Sequence, residues 1–502
     1  MPHDHLHSTH QVLTNLRLGL AVDRELIEQI ADDLTEAQFG ALFAGLSVPK
    51  HCVEEKGIRF GNKAEWLKSL AAARDKGANY CYAVVEKYSS PDSDWDEFCR
   101  KIVSCEISDL EAGAWLMSVA IAGIDRVSTM KLTRAMADSG QLFDYRSTEP
   151  KGQFLRRYPT GALSEKIALM MPVVLLDLRN LLNLQLFSPF LIARVLSHTG
   201  GTRDKLAAIK GFEIPQPGES TERILKRIGV AYTATSDEFN PADNRLYSLR
   251  SETSTVESTP LIVSSIASKM LACPADVVQI DARWGTGAFF DTVTAAKDCV
   301  GLICETMIQE GIDTFFTVTE ANHPTGSGIG AAAEVAEAVV GLGGGTYNFD
   351  PRGIYQQRFL VADFASRLVA EQFNLDKFDL FRLIMSRFDD GSYRKSFITL
   401  LTEHSVSKDH AETLWERPDS LFDRFTVQEV HAKNAGRLSA INQFEIGHFL
   451  KGNFLDASVT IDVRPGDFVK QGQVLARVFT TSPGDLPDFN SEWFFLSKHE
   501  VA

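Results

Sequence analysis

The stretch TFFTVTEANHPTGSGIGAAAEVAEAVVGLGGG, which runs from Thr314 to Gly345, decides the fold class. A segment rich in β-branched and aromatic residues leads through a glycine-rich turn into an alanine-rich helical segment. Short apolar runs, among them Ala168–Leu176 and Val277–Ile280, alternate with helical stretches in the same way. The alternation predicts an α/β domain with a mostly parallel central sheet flanked by helices. Ligands of such sheets bind beyond the carboxyl ends of the strands.

The glycines of this stretch suggest two different roles. Gly326, Gly328 and Gly330 form a G-x-G-x-G pattern that invites a dinucleotide-binding interpretation. No acidic residue follows a next strand at the expected distance, so the pattern is weak support for such a site. Residues 341–345 (GLGGG) are better explained as a helix end followed by a turn.

The segments outside the α/β pattern predict further regions. The pattern is strongly helical from Trp95 to Gly140, and residues 95–150 are predicted to form the first part of a helical domain. Residues 1–94 predict an N-terminal α+β extension, in which helical stretches surround a short β-like run, Tyr80–Val85. Residues 428–502 predict short strands around a Pro-Gly-Asp turn and a Lys-Gln-Gly turn, and therefore a small C-terminal α+β domain.

Composition and charge exclude several function classes. With 51 Lys and Arg against 66 Asp and Glu, the net charge of −15 opposes general attraction to nucleic acid or anionic membranes. The 7 cysteines are scattered and contain no C-x-x-C pair, which indicates neither a disulfide framework nor a zinc site. No segment offers about 18 unbroken apolar residues for a membrane span. We therefore expect a cytoplasmic protein without nucleic-acid or membrane partners.

Clustered histidines near the N-terminus are the remaining metal candidates. His3, His5, His7 and His10 could bind a transition metal. Nothing nearby would fix their geometry, which favours a flexible tail and no metal site.

Two segments carry the candidate chemistry. His198-Thr199-Gly200-Gly201-Thr202 is a glycine-broken loop that leads into a charged helical segment, and such loops hold anions on backbone N–H groups. Further on, Arg250 precedes Ser265 and Lys269, which are four residues apart. On a helix that spacing puts the hydroxyl and the ammonium on one face.

Several motifs occur together in an order that resembles the thymidine phosphorylase and pyrimidine-nucleoside phosphorylase family. In chain order they are LTRAMADSG (132–140), LSHTGGTRDKLAAIKGF (196–212), PADNRLYSLRSETSTVESTPLIVSSIASK (241–269), GTGAFF (285–290) and HPTGSGIGAAAEV (323–335). The resemblance covers about Trp95 to Phe479 and leaves the N-terminal extension outside. It implies attack of inorganic phosphate on the anomeric carbon of a pyrimidine nucleoside, which releases the base and a pentose 1-phosphate. No cofactor besides this phosphate co-substrate is implied.

The resemblance also implies a domain arrangement and a partner. Residues 241–272 would complete the helical domain begun by residues 95–150. The α/β domain would comprise residues 151–240 and 273–427. A homodimer through the helical domain is expected.

Site residues follow from the same resemblance, position by position. Arg250, Ser265 and Lys269 match the family's base-binding arginine, serine and lysine, and Arg250 and Lys269 would also assist catalysis. A donor and an ammonium aimed at the pyrimidine suit the negative charge that develops on the leaving base. The remaining predicted residues are His198 on the catalytic side and, on the phosphate side, Thr202, Arg283 and Thr286.

The first phosphate loop departs from the family pattern. Where the family reads KHSTGGVGDK, this chain reads RYPTGALSEK over residues 157–166. Arg157 and Thr160 keep a charge and a hydroxyl and are predicted phosphate ligands, whereas Pro159 lacks an N–H group. Tyr158 replaces a histidine proposed to help protonate the base and is the predicted catalytic residue at this position. A phenol with a pKa of about 10 is a poorer acid than histidine at neutral pH.

The residues leave alternatives open. Arg250 and Lys269 could form surface ion pairs with Glu252 or Glu257, His198 and Thr202 could only shape a turn, and Arg156 and Arg157 could be a solvated basic pair. At the level of function, the leading hypothesis is a pentosyltransferase of the pyrimidine-nucleoside phosphorylase type with an altered phosphate loop. The other is a catalytically silent or repurposed relative that binds a pyrimidine ligand or uses a different sugar acceptor.

Overall fold

The computed structural model describes residues 2–20, 22, 27, 30, 33–47, 78–192, 200–236, 238–451, 453–481 and 493–497. Two compact units divide the chain. The first comprises residues 1–144, 237–274 and 305–310, and the second comprises residues 145–236, 275–304 and 311–502. The six-segment domain division remains a prediction. None of the helices in the described part of the chain is both long and apolar enough to cross a membrane.

The described elements of the first unit are helices. They are α1 (Pro2–Leu18), α2 (Glu36–Ser47), α3 (Ala78–Lys87), α4 (Trp95–Val103), α5 (Asp109–Ala122), α6 (Arg126–Asp138), α10 (Pro241–Glu252) and α11 (Thr259–Ala272). Helix α5 begins at a capping box, in which the Ser108 hydroxyl and the Glu111 carboxylate satisfy each other's backbone N–H groups. Helices α2 and α5 pack backbone to backbone, because a Cβ added at Gly113 would lie 2.0 Å from the carbonyl oxygen of Ala37.

The β-like run predicted at Tyr80–Val85 is wrong, because these residues lie within helix α3. Val84 and Tyr88 are four residues apart and both buried, as one face of a helix requires. The indole N–H of Trp115 donates to the carbonyl of Tyr88 at 2.6 Å, which fixes the end of this helix against α5. Aromatic residues thus favoured a strand in the sequence, but the packing selects a helix.

The second unit contains a parallel sheet of five strands, which confirms the predicted fold class. In chain order the strands are β1 (Gln153–Pro159), β2 (Leu186–Ile192), β3 (Val230–Ala234), β4 (Val277–Trp284) and β5 (Asp313–Glu320). The spatial order is β3-β2-β1-β4-β5, with all four pairings parallel. Tyr158 of β1 lies opposite Ile280 of β4, and Trp284 at the end of β4 lies opposite Glu320.

The second unit also contains helices. They are α7 (Ile167–Leu181), α8 (Thr202–Leu206), α9 (Glu219–Ile228), α12 (Val293–Gln309, which contributes residues to both units), α13 (Ala331–Gly341), α14 (Pro351–Ala370), α15 (Lys377–Ser386), α16 (Arg394–Glu403) and α17 (Lys408–Glu416). Of the apolar runs in the sequence, Val277–Ile280 lies in β4, whereas Ala168–Leu176 lies inside α7. Because α7 is buried along most of its length, it shows the unbroken apolar pattern of a buried strand.

Two small antiparallel sheets complete the second unit. Their strands are β6 (Gly328–Ile329), β7 (Thr426–His431), β8 (Gly436–Ile441), β9 (Ala457–Ile461), β10 (Phe468–Val469), β11 (Val474–Thr480) and β12 (Phe494–Ser497). The orders are β10-β8-β12 and β6-β9-β11-β7. Helix α18 (Gln443–Leu450) follows β8 and packs with both sheets around a common apolar cluster. Because β6 belongs to the glycine-rich turn after β5, this part of the chain is joined to the carboxyl end of the parallel sheet.

Candidate functional site

The loops after β1 and β4 meet at the carboxyl ends of these strands. The N–H of Thr160 donates to the carbonyl of Asp281 at 3.0 Å, and the N–H of Leu163 donates to the carbonyl of Gly287 at 2.9 Å. The Thr160 hydroxyl oxygen accepts from the backbone N–H of Arg283 at 2.9 Å. The predicted phosphate loop is therefore tied to its neighbour by its own backbone and by Thr160.

The two arginines predicted to bind phosphate are already paired with carboxylates. Arg157 donates through Nη2 to Glu165 at 3.0 Å and to Asp281 at 2.5 Å. Arg283 donates through Nε to the same oxygen of Asp281 at 2.5 Å, and its Nη2 lies 3.7 Å from Glu165. Only 1% of the Arg157 side chain and none of the Arg283 side chain is exposed. The alternative of a solvated basic pair is wrong, because Arg156 is buried as well.

The Arg157 side chain faces the core of the second unit. Its guanidinium lies 4.8 Å from the ring centroid of Phe364 in α14, a cation–π contact. Successive residues of a strand point to opposite faces, so Tyr158 is directed to the other side of the sheet. A phosphate role for Arg157 and Arg283 remains a prediction that would require both side chains to exchange partners.

Glu165 joins the loop to the helix that follows it. One carboxylate oxygen accepts from Arg157 and also from the N–H of Ile167, in the first turn of α7, at 3.1 Å. Burial alone would raise the pKa of Glu165, but the charges of Arg157, Arg283 and Lys205 outweigh it, so this pKa is lowered. The N-terminus of a helix favours a bound anion. At the first turn of α7 the carboxylate of Glu165 takes this position.

A buried lysine holds the glycine-rich turn. Lys166 Nζ donates to the carbonyls of Thr325 at 2.5 Å and Gly328 at 2.7 Å, and lies 3.0 Å from Glu337. The Ser164 hydroxyl donates to the same Gly328 carbonyl at 2.6 Å. Ser164 itself has φ of +62°, in the left-handed region that favours glycine.

The N–H groups of this turn are occupied by glutamates. The N–H groups of Ser327 and Gly328 donate to the two carboxylate oxygens of Glu337 at 2.8 and 2.7 Å. The N–H of Gly330 donates to Glu334 at 3.2 Å. The G-x-G-x-G pattern thus builds an anion-binding turn, and Glu337 of α13 supplies the anion from within the chain.

The acidic and basic side chains buried around these loops are equal in number. Lys205 of α8 lies 2.7 Å from Glu334 and donates to the carbonyl of Glu165 at 2.6 Å. The cluster therefore contains four basic and four acidic side chains, all buried: Arg157, Lys166, Lys205 and Arg283 with Glu165, Asp281, Glu334 and Glu337. We refer to these eight residues as the strand-end ion cluster. Its formal charge is zero.

Thr286 is exposed at this edge of the sheet and forms a hydrogen bond with the buried Gln443. The exposed Thr286 donates through its hydroxyl to the carbonyl of Asn322 at 3.3 Å and accepts from Gln443 Nε2 at 3.1 Å. Gln443, at the start of α18, is 1% exposed and also donates to the carbonyl of Ala321 at 2.8 Å. Its Oε1 has no hydrogen-bond partner among the described residues. Gln443 was not among the residues singled out in the sequence, and its position 157 residues after Thr286 gives no local signal.

The remaining predicted residues of the second unit are placed as follows. Thr202 is the first residue of α8, preceded by Gly201, whose N–H donates to Asp204 at 3.1 Å. Tyr158 is half-buried in β1. His198 lies outside the described residues, so the predictions for it remain untested.

In the first unit, Lys269 and Ser265 lie together as their spacing predicts. Both belong to α11, and Lys269 Nζ donates to the Ser265 hydroxyl oxygen at 2.8 Å and to its carbonyl at 3.2 Å. The third partner of the ammonium is the carboxylate of Asp243 in α10, which is 1% exposed. The Lys269 side chain is 15% exposed. Because the Ser265 oxygen accepts from lysine, its own O–H proton can be donated elsewhere.

Arg250 has a different setting from the one predicted. It is 2% exposed, and its two Nη atoms donate to the carbonyls of Leu261, at 3.1 Å, and of Val256. These bonds join α10 to the start of α11. Neither Arg250 nor Lys269 forms the surface ion pair that was the alternative, because Arg250 is buried and the acid beside Lys269 is Asp243.

An aromatic ring links the basic residues of the first unit. The Tyr247 ring centroid lies 5.5 Å from the Arg250 guanidinium carbon and 5.7 Å from Lys269 Nζ. Tyr247 and Asp243 were not predicted as site residues. Asp243, Tyr247 and Arg250 recur at intervals of three and four residues on α10, so the helical spacing could have identified this face.

Comparison with known proteins agrees with this architecture. Residues 192–341 match the glycosyl transferase family, a/b domain. A thymidine phosphorylase from Colwellia psychrerythraea is 29% identical over 392 residues, which cover 76% of this chain and 86% of that protein. The crystal structure of an anthranilate phosphoribosyltransferase from Thermus thermophilus is 14% identical, has a TM-score of 0.50, and covers 66% of this chain and all of that chain. This last likeness concerns the fold alone. The chain is therefore similar to a thymidine phosphorylase over 76% of its length, and residues 192–341 match the a/b domain of the glycosyl transferase family.

Proposed function

We propose that this protein is a pentosyltransferase that makes or breaks the N-glycosidic bond of a pyrimidine nucleoside or nucleotide. The observation that carries the proposal is the hydrogen bond of 2.8 Å from Lys269 to Ser265 on one face of α11. The homology to a thymidine phosphorylase supports the choice of a pyrimidine substrate.

The chemistry of the bond explains why this pair matters. When the bond between the sugar and the pyrimidine breaks, its electron pair stays on the base, and negative charge spreads over the ring nitrogen and the carbonyl oxygens. Lys269 polarises the Ser265 hydroxyl, which can then donate to a pyrimidine oxygen. Its ammonium also stabilises the charge at short range in a partly desolvated setting. Asp243 holds the ammonium in position.

Arg250 contributes to the proposed site by holding two helices in position. Its bonds to the carbonyls of Leu261 and Val256 fix α10 against α11, which sets the distance between Asp243 and Lys269. The contact of both cations with the Tyr247 ring adds a rigid apolar surface beside the ammonium. Direct donation from Arg250 to the base remains a prediction.

The test measures release of free base. The protein is incubated with a panel of pyrimidine nucleosides and monophosphates, with and without inorganic phosphate, and free base is quantified by chromatography. Replacement of Lys269 by glutamine should lower turnover by about 100-fold or more, the effect of removing one preorganised donor. The matched control is Lys226→Gln, at an exposed lysine paired with Glu222. Equal turnover in the two variants would contradict the proposal.

One observation favours a second candidate, a pyrimidine-binding protein without turnover. The strand-end ion cluster has no net charge with which to hold a phosphate dianion. Binding of a pyrimidine nucleoside by calorimetry, without base release under any condition, would support this second candidate.

A further inference from the structure

The helices that carry Asp243 and Lys269 are joined by a short loop. We refer to residues 252–258, from the last residue of α10 to the residue before α11, as the connecting loop. Ser254 in this loop has φ of +58°, in the left-handed region that is unfavourable for residues with a Cβ. Such a conformation persists only where the surrounding contacts enforce it. The contacts of the connecting loop therefore decide its shape.

We propose that the N-terminal extension is a positioning element for the proposed pyrimidine site. Its helices α1 and α2 hold the connecting loop and thereby keep Asp243, Ser265 and Lys269 at their working distances. The effect on turnover rests on the proposed function. The fixing of the loop is a property of the first unit by itself and is tested separately.

Helix α1 contacts the connecting loop at two positions. The Oγ of Ser254 lies 2.8 Å from Nδ1 of His10 and 3.5 Å from the carbonyl oxygen of His10. Arg17, about two turns further along the helix, forms an ion pair with Glu257. Because this spacing returns to the same face of a helix, one face of α1 is directed at the loop.

The start of α2 contacts the beginning of the loop. The Thr35 hydroxyl donates to the carboxylate of Glu252 at 3.2 Å, and Gln38 Nε2 donates to the carbonyl of Glu252 at 3.4 Å. Gln38 Oε1 accepts from the N–H of Thr35 at 3.0 Å, which fixes the two donors relative to each other. Both acidic residues of the loop, Glu252 and Glu257, are therefore bound by the extension.

Apolar packing anchors the extension in the first unit. Leu16 of α1 lies in one buried cluster with Leu42 of α2 and Met117 of α5. An exposed ion pair contributes little stability by itself, whereas burial of large apolar side chains contributes much more. The apolar cluster therefore sets the position of α1 and α2, and their polar contacts impose this position on the loop.

Arg250 holds the same loop from the interior of the unit. It is 2% exposed, and its Nη atoms donate to the carbonyls of Val256 and Leu261. The N–H of Thr255 donates to the carbonyl of Arg250 at 3.1 Å. The connecting loop is thus fixed between a buried guanidinium and the extension.

The proposed site lies at the other ends of α10 and α11. There Lys269 pairs with Asp243, and Asn240 Nδ2 donates to the Ser268 hydroxyl oxygen at 2.7 Å. A displacement of the loop shifts α11 against α10 and changes the distance between Lys269 and Asp243. A shift of about 1 Å in a catalytic group can lower a rate by about 100-fold. The extension therefore affects the reaction without contacting the substrate.

The first test measures hydrogen exchange of the connecting loop in the full-length protein, by mass spectrometry of peptides that contain residues 252–262. The N–H groups of Thr255, Ser258 and Ile262 donate to backbone carbonyls at 3.1, 3.3 and 2.9 Å and report opening of the loop. Exchange of these groups requires no substrate. It therefore tests the fixing of the loop whatever reaction the protein catalyses.

A charge reversal breaks the contact with α1. Glu257→Lys places two cations together and should accelerate exchange in the loop by about fivefold. Arg17→Glu added to this variant restores opposite charges and should restore slow exchange. Glu106→Lys is the matched control, because Glu106 is an exposed acid paired with Arg100 at 3.0 Å in the same unit. The control should leave exchange in the loop unchanged.

Each outcome of the exchange experiment decides whether the extension holds the loop. Equal exchange in Glu257→Lys and in the wild type or the control would overturn the inference. So would failure of Arg17→Glu to restore slow exchange. If circular dichroism shows that Glu257→Lys does not fold, Arg17→Gln takes its place and should accelerate exchange by about twofold. Unchanged exchange in that variant would overturn the inference as well.

The second test measures steady-state release of free base from uridine and thymidine, with and without inorganic phosphate, at a temperature where every variant is folded. Glu257→Lys should lower kcat by at least about tenfold and change KM by less than about threefold, because a displaced Lys269 fails in the transition state. Arg17→Glu should restore kcat. A purely structural role would lower the unfolding midpoint and leave kcat unchanged.

The two readouts separate this inference from the proposed function. Unchanged kcat beside accelerated exchange would overturn the positioning role. Absence of base release by the wild type would overturn the proposed function and the effect on turnover together, whereas the exchange experiment still decides whether the extension holds the loop.

Discussion

Basic side chains of the two units differ in their exposure and in their hydrogen-bond partners. In the first unit, Lys269 keeps 15% of its side chain exposed and shares its hydrogen bonds between Asp243 and Ser265. In the second, Lys166 and its partner Glu337 are completely buried, and backbone carbonyls take the rest of the ammonium's bonds. A lysine beside solvent can exchange a serine for a ligand, whereas an enclosed lysine cannot do so without opening its loop. A basic residue at a family's motif position therefore indicates a ligand only when its local partners can be released.

The largest expected effect tests whether the Lys166 ion pair is structural. Lys166→Met should lower the free energy of unfolding by about 3–5 kcal/mol, because Glu337 would remain as an uncompensated buried charge. Urea denaturation followed by circular dichroism measures the change. Lys226→Met, at an exposed lysine, is the control and should leave the unfolding midpoint unchanged. A similar midpoint for the two variants would remove the contrast between buried and accessible lysines.

The second expected effect concerns acid sensitivity of the core of the second unit. Burial lowers the pKa of His404 to about 4, and its Nε2 accepts from the N–H of Tyr232 at 3.2 Å. The unfolded chain takes up this proton at a pH of about 6.5, so stability is complete above that pH and is lost as the pH falls toward 4. The wild type should lose about 2 kcal/mol between about pH 7 and about pH 5 through this group.

A variant isolates this histidine from other titrating groups. His404→Gln should flatten the dependence of the unfolding free energy on pH in that range. The buried carboxylate of Glu165 has a lowered pKa, so its contribution is lost only at lower pH. An unchanged pH dependence in the variant would show that the acid sensitivity has another origin.

A smaller effect separates backbone strain from hydrogen bonding at Ser164. Both Ser164→Ala and Ser164→Gly remove the hydroxyl that donates to Gly328 at 2.6 Å. Only glycine adopts the φ of +62° at this position without cost. The alanine variant should therefore be less stable than the glycine variant by about 1 kcal/mol. Thermal unfolding of the pair provides the measurement, and the opposite order would exclude strain at this residue.

The smallest effect on stability is expected at the accessible lysine. Lys269→Gln should lower the free energy of unfolding by only about 1 kcal/mol, because the amide can still donate to Asp243. Its effect on base release is expected to be large by comparison. A loss of stability as large as that of Lys166→Met would show that Lys269 mainly stabilises the fold, and it would weaken the proposed function.

Much of the fold could be predicted because its signals are local. The alternation of apolar runs and helical stretches indicated the parallel sheet, and the spacing of Ser265 and Lys269 placed both on one helix face. The errors arose where uniform burial removes the alternation of apolar and polar residues that identifies a helix. Helix α7 is buried along most of its length and lacks a polar face, and Tyr80–Val85 carries aromatic and β-branched residues in a helix.

The ion pairs at the predicted phosphate site could not be predicted, because the paired residues are distant in sequence. Arg157 pairs with Asp281, 124 residues away, and Lys166 reaches carbonyls about 160 residues away. One local signal did exist. Asp281 and Arg283 are two residues apart on a strand and therefore share a face. This spacing indicates that a carboxylate lies next to Arg283.

The strand-end ion cluster also restricts the paths by which such a protein can evolve. Loss of one member leaves its partner charged and buried, so a single substitution is selected against even when the altered pair would be tolerated. Lys205 with Glu334, and Lys166 with Glu337, should therefore be exchanged together or kept together in descendants of this chain.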